Sequence, residues 1–249
     1  MKKYDNSAVL FKNIINRIET NKEDFFFSDF MDPFQQKILS REINKHSKIE
    51  FHFFGGYEDS ERKMFGMFDN NLEIIQWPIL IICFDIGDFH RDLNHRMVLG
   101  SIMSLGITRD TIGDIIINKN HVQVIVQEHI APYIRDNLHD INKMKVLPEI
   151  NTVESLSIPE QQYKDEKIVV NSLRIDGIVS SGWNVSREES TQLVKKGLVR
   201  INHVYITKPS SSVSIGDLIS VKGKGRFIIH EFLGSTRKDK KKLLIKKYL

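Results

Sequence analysis

The chain has 249 residues, 41% of them hydrophobic and 27% charged, with a single cysteine; this is the composition of an ordinary globular protein long enough for two or three domains. One cysteine excludes an intramolecular disulfide and a thiolate zinc site, and no apolar run approaches the roughly 20 residues a membrane-crossing helix needs. The net charge of +4 hides a division: residues 171–249 hold 16 Lys and Arg against 6 Asp and Glu, a net +10, while residues 1–170 are net −6, so the C-terminal third suits a polyanionic partner.

In chain order, residues 1–72 read as a helical N-terminal domain with a short strand. Its first stretch, MKKYDNSAVLFKNIINRIET, lacks the apolar core and cleavage site of a signal peptide, so a cytoplasmic location is expected. Leu10, Phe11, Ile14, Ile15 and Ile18 form a helical stripe. Asp32 is placed to cap a second helix, with Pro33 in its first position and Phe34, Ile38 and Ile43 following. A strand then runs through Phe53 to a turn at Gly55-Gly56, and Tyr57 to Met64 reads as a helix start, with Glu58, Asp59 and Glu61 in its first turn.

Residues 73–153 read as a ferredoxin- or RRM-like split βαβ domain. The segment 73–86 is a buried strand and 90–107 a helix. Residues 114–131 make two strands around Asn118-Lys119-Asn120 and enter a helix that reaches about Ile141; MKVLPEI is a last strand. The order strand–helix–strand–strand–helix–strand is that of the split βαβ unit. Its strands offer no exposed aromatic pair, so a scaffold or protein contact is expected of it before base stacking. Residues 154–170 are assigned as a linker, and the polar, charged stretch 154–167 within them reads as a linker or an exposed edge. Residues 171–249 hold a helix to Gly182, a Ser186–Glu189 capping box opening a second helix that Gly197 stops, a hairpin about Asn202-His203, a strand pair after Gly216-Asp217, and a basic tail. The fold class is α+β.

Residues 90–93, His-Arg-Asp-Leu, open like a kinase catalytic loop, but Met97 stands where that motif needs a metal-binding Asn, and no GxGxxG precedes it. His90, Arg91 and Arg109 are candidates for a second contact surface. An Asp92–Arg96 pair and a cluster of Arg109, Asp110 and Asp114 favour a structural ion network there. No nucleophile–base pair or ligand set is spaced for chemistry, so no catalytic residue, metal or cofactor is expected. Cys83 lies in an apolar run and reads as a buried, inert thiol.

Residues 173–222 carry Leu173-Arg174-Ile175-Asp176, Ser186-Arg187, Gln192 to Gly197, Val199-Arg200-Ile201-Asn202, Lys208-Pro209 and Gly216 to Val221. This order and spacing resemble the S4 RNA-binding domain, which implies an α-hairpin on a sheet that docks onto structured RNA. Local physics agrees: the second helix presents free N–H groups and a positive dipole end beside Arg187. Arg174, Arg187, Lys195, Lys196, Arg200 and Lys208, continued by Lys222, Lys224 and Arg226, would make a surface for phosphates with little regard to base. Asp176 is expected to orient an arginine. The stretch 174–182 is also similar to a pseudouridine-synthase motif, but Val179 replaces its Thr and only 67 residues follow Gly182, too few for that catalytic domain.

Segments 30–38, 53–65 and 90–117, together with the S4 pattern, resemble the YlmH family of bacterial S4-domain proteins. Asn94-His95-Arg96 departs from the family's small residues after His-Arg-Asp, and the tail carries lysines where the family has arginines. The resemblance implies a non-catalytic factor that meets rRNA of the large ribosomal subunit and tRNA, with a ribosomal protein or rescue factor as a further partner, in the rescue of stalled ribosomes. A cell-division protein scaffold whose basic tail meets lipid, or an RNA-modification enzyme, are the alternatives.

Overall fold

The computed structural model describes residues 16, 25–43, 51–68, 76–87, 93–142 and 144–249. His90, Arg91, Asp92 and the stripe from Leu10 to Ile18, apart from the backbone of residue 16, lie outside them. The chain divides into two compact units, one ending at Pro159 and one starting at Glu160.

The first unit holds β1 (Phe25–Met31), α1 (Pro33–Ile43), β2 (Phe51–Phe54), β3 (Lys63–Phe68), β4 (Ile79–Asp85), α2 (His95–Ser104), β5 (Ile112–Ile117), β6 (His121–Gln127) and α3 (Ala131–Asn137). The short pair β7 (Asp140–Ile141) and β8 (Met144–Lys145) and then β9 (Glu149–Asn151) complete it. Strands β5-β6-β4-β9 form an antiparallel sheet in that order. With α2 crossing from β4 to β5 and α3 lying between β6 and β9, this is the expected ferredoxin-like arrangement. Strand alternation makes two apolar faces. Ile82, Phe84, Val122, Val124 and Val126 pack with Val98 and Ile102 of α2 and Ala131 and Ile134 of α3. On the other face, Ile79, Ile81, Ile116 and Ile125 lie against Phe30, Met64 and Trp77. The sheet face on which an RRM stacks bases is therefore covered by the small sheet β1-β3-β2 and the segment before β4.

Three helical expectations in this unit are corrected. Phe25–Met31 is a strand paired with β3, consistent with its aromatic run. Tyr57 to Arg62 is a loop, and β3 begins at Lys63. The acidic residues that mimic a helix start are irrelevant because a distant acceptor takes the loop's donors. Asp114 accepts hydrogen bonds from the N–H groups of Glu61 and Arg62 at 2.6 and 3.0 Å and from the Tyr57 hydroxyl at 3.1 Å. A bulge between Ile112 and Ile115 aims that carboxylate. The helix after β6 ends at Asn137, short of Ile141. Two caps hold α1 and α2. Asp32 and Gln35 make a reciprocal box, each side chain accepting from the other's N–H at 2.9 Å, and Asn94 accepts from the Met97 N–H at 3.1 Å. Cys83 is half-buried, and burial, then Asp85 and Glu149, push its thiol up.

The second unit runs β10 (Tyr163–Val170), α4 (Ile175–Trp183), α5 (Arg187–Lys195), β11 (Val199–Ile201), β12 (Val204–Ile206), β13 (Leu218–Val221), β14 (Gly225–Ser235) and β15 (Lys241–Tyr248). Its antiparallel sheet has the order β10-β15-β14-β13-β11-β12. Ile175, Ile178 and Val179 of α4 and Val194 of α5 pack on Val199, Ile219, Phe227, Ile229, Leu243 and Ile245, so both helices lie on one face. One expectation changes here. Tyr163–Val170, expected in a linker or an exposed edge, is an edge strand paired along its length with β15. The basic tail, to which the sequence reading gave no element, contains β15, held between β10 and β14. Only Ile168 and Val170 of β10 are buried, which is why its composition resembles a linker.

Candidate nucleic-acid interface

The α4–α5 corner is built around one carboxylate. Asn184 ends α4 in the left-handed conformation, φ 51°, the geometry that releases a chain from a helix. Ser186 then caps α5, its hydroxyl accepting from the Glu189 N–H at 3.0 Å. Arg187 is the first residue of α5, and Arg174 is the residue before α4. Both reach Asp176, whose side chain is 6% exposed while theirs are 50% and 45% exposed. Arg187 Nη2 donates to Oδ1 at 3.1 Å; Arg174 donates from Nε and Nη2 at 3.2 and 2.9 Å. The Gly177 N–H gives Oδ1 a further bond at 2.8 Å, and the Ser190 hydroxyl donates to the Asp176 carbonyl at 2.6 Å, tying α5 to α4. Burial alone would raise the Asp176 carboxyl; the hydrogen bonds and charges of Arg174 and Arg187 outweigh it and hold the group below its ordinary value.

This arrangement orients two arginines without consuming them. A guanidinium has five N–H donors; Asp176 takes two from Arg174 and one from Arg187. The remainder stand on half-exposed side chains beside the N-terminus of α5, where helix N–H groups and dipole favour an anion. Lys195 and Lys196 are exposed at the other end of α5, Lys208 is exposed after β12, and Lys222 is exposed in the β13–β14 turn. In the same turn Lys224 meets the Glu189 carboxylate at 3.3 Å, bringing the turn against α5.

The nine cations expected on one surface are divided by the sheet. Val199 and Ile201 of β11 face the helices, so Arg200 between them points the other way. The cross-strand register Arg200–Ser220–Arg226 puts Arg226 on that same outer face. Arg200 bonds the Tyr205 hydroxyl and stacks on its ring, 4.1 Å from guanidinium carbon to centroid. Arg226 lies 4.3 Å from the Tyr248 centroid. Sequence reasoning missed these tyrosines and Tyr163. Alternation could have found Tyr205, across a two-residue turn from Arg200; Tyr163 and Tyr248 meet only through long-range pairing.

Arg109, placed in a second contact surface, is half-buried and donates to the carbonyls of Ile112 and Gly113. Burial, then the nearby Arg62, lowers it to about 10, against the pull of Asp114. Arg62 donates to the carbonyls of Ile112, Phe30 and Arg109 at 2.9, 2.7 and 3.3 Å. Of the expected cluster of Arg109, Asp110 and Asp114, Arg109 and Asp114 lie together with Arg62, a residue the sequence reading did not single out. Asp110 is exposed and bonds the Thr108 hydroxyl. Among the described residues no helix is long and apolar enough to cross a membrane.

Two family models match the chain: "Putative RNA-binding domain in YlmH" over residues 82–155 and "S4 domain" over residues 173–219. The first description runs against a pure scaffold role for the middle sheet, although one face of that sheet is covered by the N-terminal strands. "Ribosome-associated protein quality control protein P2" of Bacillus subtilis (strain 168) is 33% identical over 215 residues, 86% of this chain and 83% of that protein. The solved structure "Cell division protein ylmH from Streptococcus pneumoniae" superposes with a TM-score of 0.53 at 16% identity, covering 63% of this chain and 96% of its own. At that identity the likeness speaks to fold alone.

Proposed function

Since the chain belongs to the YlmH family of S4-domain RNA-binding proteins, we propose that it is a cytoplasmic, non-catalytic factor that binds large-subunit rRNA and peptidyl-tRNA in the rescue of stalled ribosomes. The observation that carries this reading is the Arg174–Asp176–Arg187 constellation at the capped start of α5, inside the segment that matches the S4 model. Two half-exposed guanidiniums held at fixed geometry beside a helix N-terminus suit the phosphates of folded RNA, which is read by shape more than by base edge. The name of the Bacillus subtilis relative supports the ribosomal setting.

Sedimentation of lysate through a sucrose gradient tests it. The expected result is co-migration with large subunits that is lost at high salt, as phosphate contacts require. Protein remaining at the top of the gradient at physiological salt would overturn the ribosomal reading. Binding to anionic liposomes without ribosomes would favour the division scaffold, and loss of a specific modified nucleotide on deletion would favour an enzyme.

A further inference from the structure

The sheet face turned away from α4 and α5 carries one continuous row of side chains across all six strands. Tyr205 of β12 stands opposite Arg200 of β11, Arg200 opposite Ser220 of β13, and Ser220 opposite Arg226 of β14. Arg226 then lies over the ring of Tyr248 in β15, and Tyr248 stands opposite Tyr163 of β10, their rings edge to face with centroids 5.0 Å apart. Five interstrand gaps of about 4.8 Å make the row roughly 24 Å long.

We propose that this row is a stacking platform for single-stranded RNA. The row contains three tyrosines, two arginines and a serine and has no aliphatic member. Tyr163 and Tyr205 are 40% and 39% exposed, so ring surface is presented to solvent. The arginines already lie over rings, and a guanidinium plane is itself a surface on which bases stack while its N–H groups reach phosphate. Around the row the same face carries Lys167, Lys242 and Lys246 against Asp165 and Glu231, a cationic balance that complements a polyanion, with Val169, Ile228 and Leu244 also on this face outside the row. Lys246 also sits 5.9 Å from the Tyr163 centroid. Rings with cations beside them, tolerant of base identity, are what unpaired nucleotides need; a lipid surface would call for exposed aliphatic residues in the row. The platform goes beyond the proposed function, because it uses the face opposite Arg174 and Arg187 and a different form of RNA.

The test compares two labelled RNAs on the full chain, a short oligouridine and a base-paired hairpin. Tyr163→Leu with Tyr205→Leu is expected to weaken oligouridine binding about tenfold or more and to leave hairpin binding within twofold. Tyr163→Phe with Tyr205→Phe keeps the rings and is expected to keep oligouridine binding. Arg187→Ala with Lys195→Ala is expected to do the reverse of the leucine pair, so the helix corner and the platform fail separately. In the unaltered protein, an oligonucleotide bearing 4-thiouridine should crosslink to peptides containing Tyr163, Tyr205 or Tyr248, a readout that needs no variant to fold. The proposal is overturned if the wild type does not bind oligouridine, if the leucine pair binds it as wild type does, if crosslinks fall only on α4 and α5, or if phosphatidylglycerol vesicles displace the RNA through these same tyrosines.

Discussion

Gly182 sits near the end of α4 with no room for a side chain, and Gly182→Ala measures how tightly that helix is seated. A Cβ there would lie 2.6 and 2.7 Å from Cε1 and Cζ of Phe227. That ring is fully buried and packs against Trp183 at 5.8 Å, so it has nowhere to go. Overpacking of this kind costs about 1–3 kcal/mol, while replacing a helical glycine by alanine returns roughly 0.5–1 kcal/mol. The expected net effect is a loss of about 1–2 kcal/mol from the second unit. In a Phe227→Leu background the offending ring atoms are absent, and the same Gly182→Ala change should become neutral or stabilising, a coupling of about 1 kcal/mol or more. The chain's two tryptophans, Trp77 and Trp183, fall one in each unit, so fluorine NMR of the 5-fluorotryptophan-labelled protein in urea reads each unit separately. An equal cost in both backgrounds would refute the reasoning. As a contrast, a Cβ at Gly177 would meet only the half-exposed guanidinium of Arg187, at 3.3 Å, which needs to give by only a few tenths of an ångström, and Gly177→Ala should leave the Trp183 transition unchanged or slightly later.

Arg62→Ala removes a cation beside Asp114 and one donor from each of the carbonyls of Ile112, Phe30 and Arg109; a loss of about 1–3 kcal/mol, seen at the Trp77 signal and not restored by Arg62→Lys, is expected. The Asp176 carboxyl is held below its ordinary 3.8, so its contribution is fully present above that value and disappears as pH falls through the lower folded value. The Trp183 transition should therefore weaken below pH 3.8, and Asp176→Asn should remove this acid dependence while lowering stability at neutral pH. Arg187→Ala with Lys195→Ala should flatten the salt dependence of large-subunit binding by about one to two units in the log–log slope, with both unfolding transitions in place; an unchanged slope would remove these residues from the interface.

The α4–α5 corner is legible in the sequence, because its determinants are local. Capping residues lie within three or four positions of the groups they bond, so Ser186, Asp32 and Pro33 announce helix starts in the sequence itself. The two strands around Asn118-Lys119-Asn120 are equally local, and so is the order of elements that makes the ferredoxin-like sheet. The role of Asp176 could be read as an acid among arginines, although its service to both Arg174 and Arg187 needed the helix packing.

The failures have one cause. Residues 57–62 look like a helix start until Asp114, more than fifty positions away, takes their donors. Residues 163–170 look like a linker until the C-terminal strand pairs with them. Arg200 and Arg226 look like members of one cationic surface with Arg187 until strand alternation turns them to the opposite side of the sheet. By itself the amino-acid order determined the helix caps, the apolar periods and the basic charge of the last third, all set by neighbours along the chain. Only the tertiary structure decided which face each cation occupies, because a strand's partners, and hence the side to which its residues point, are chosen by hydrogen bonds between segments that are distant in sequence.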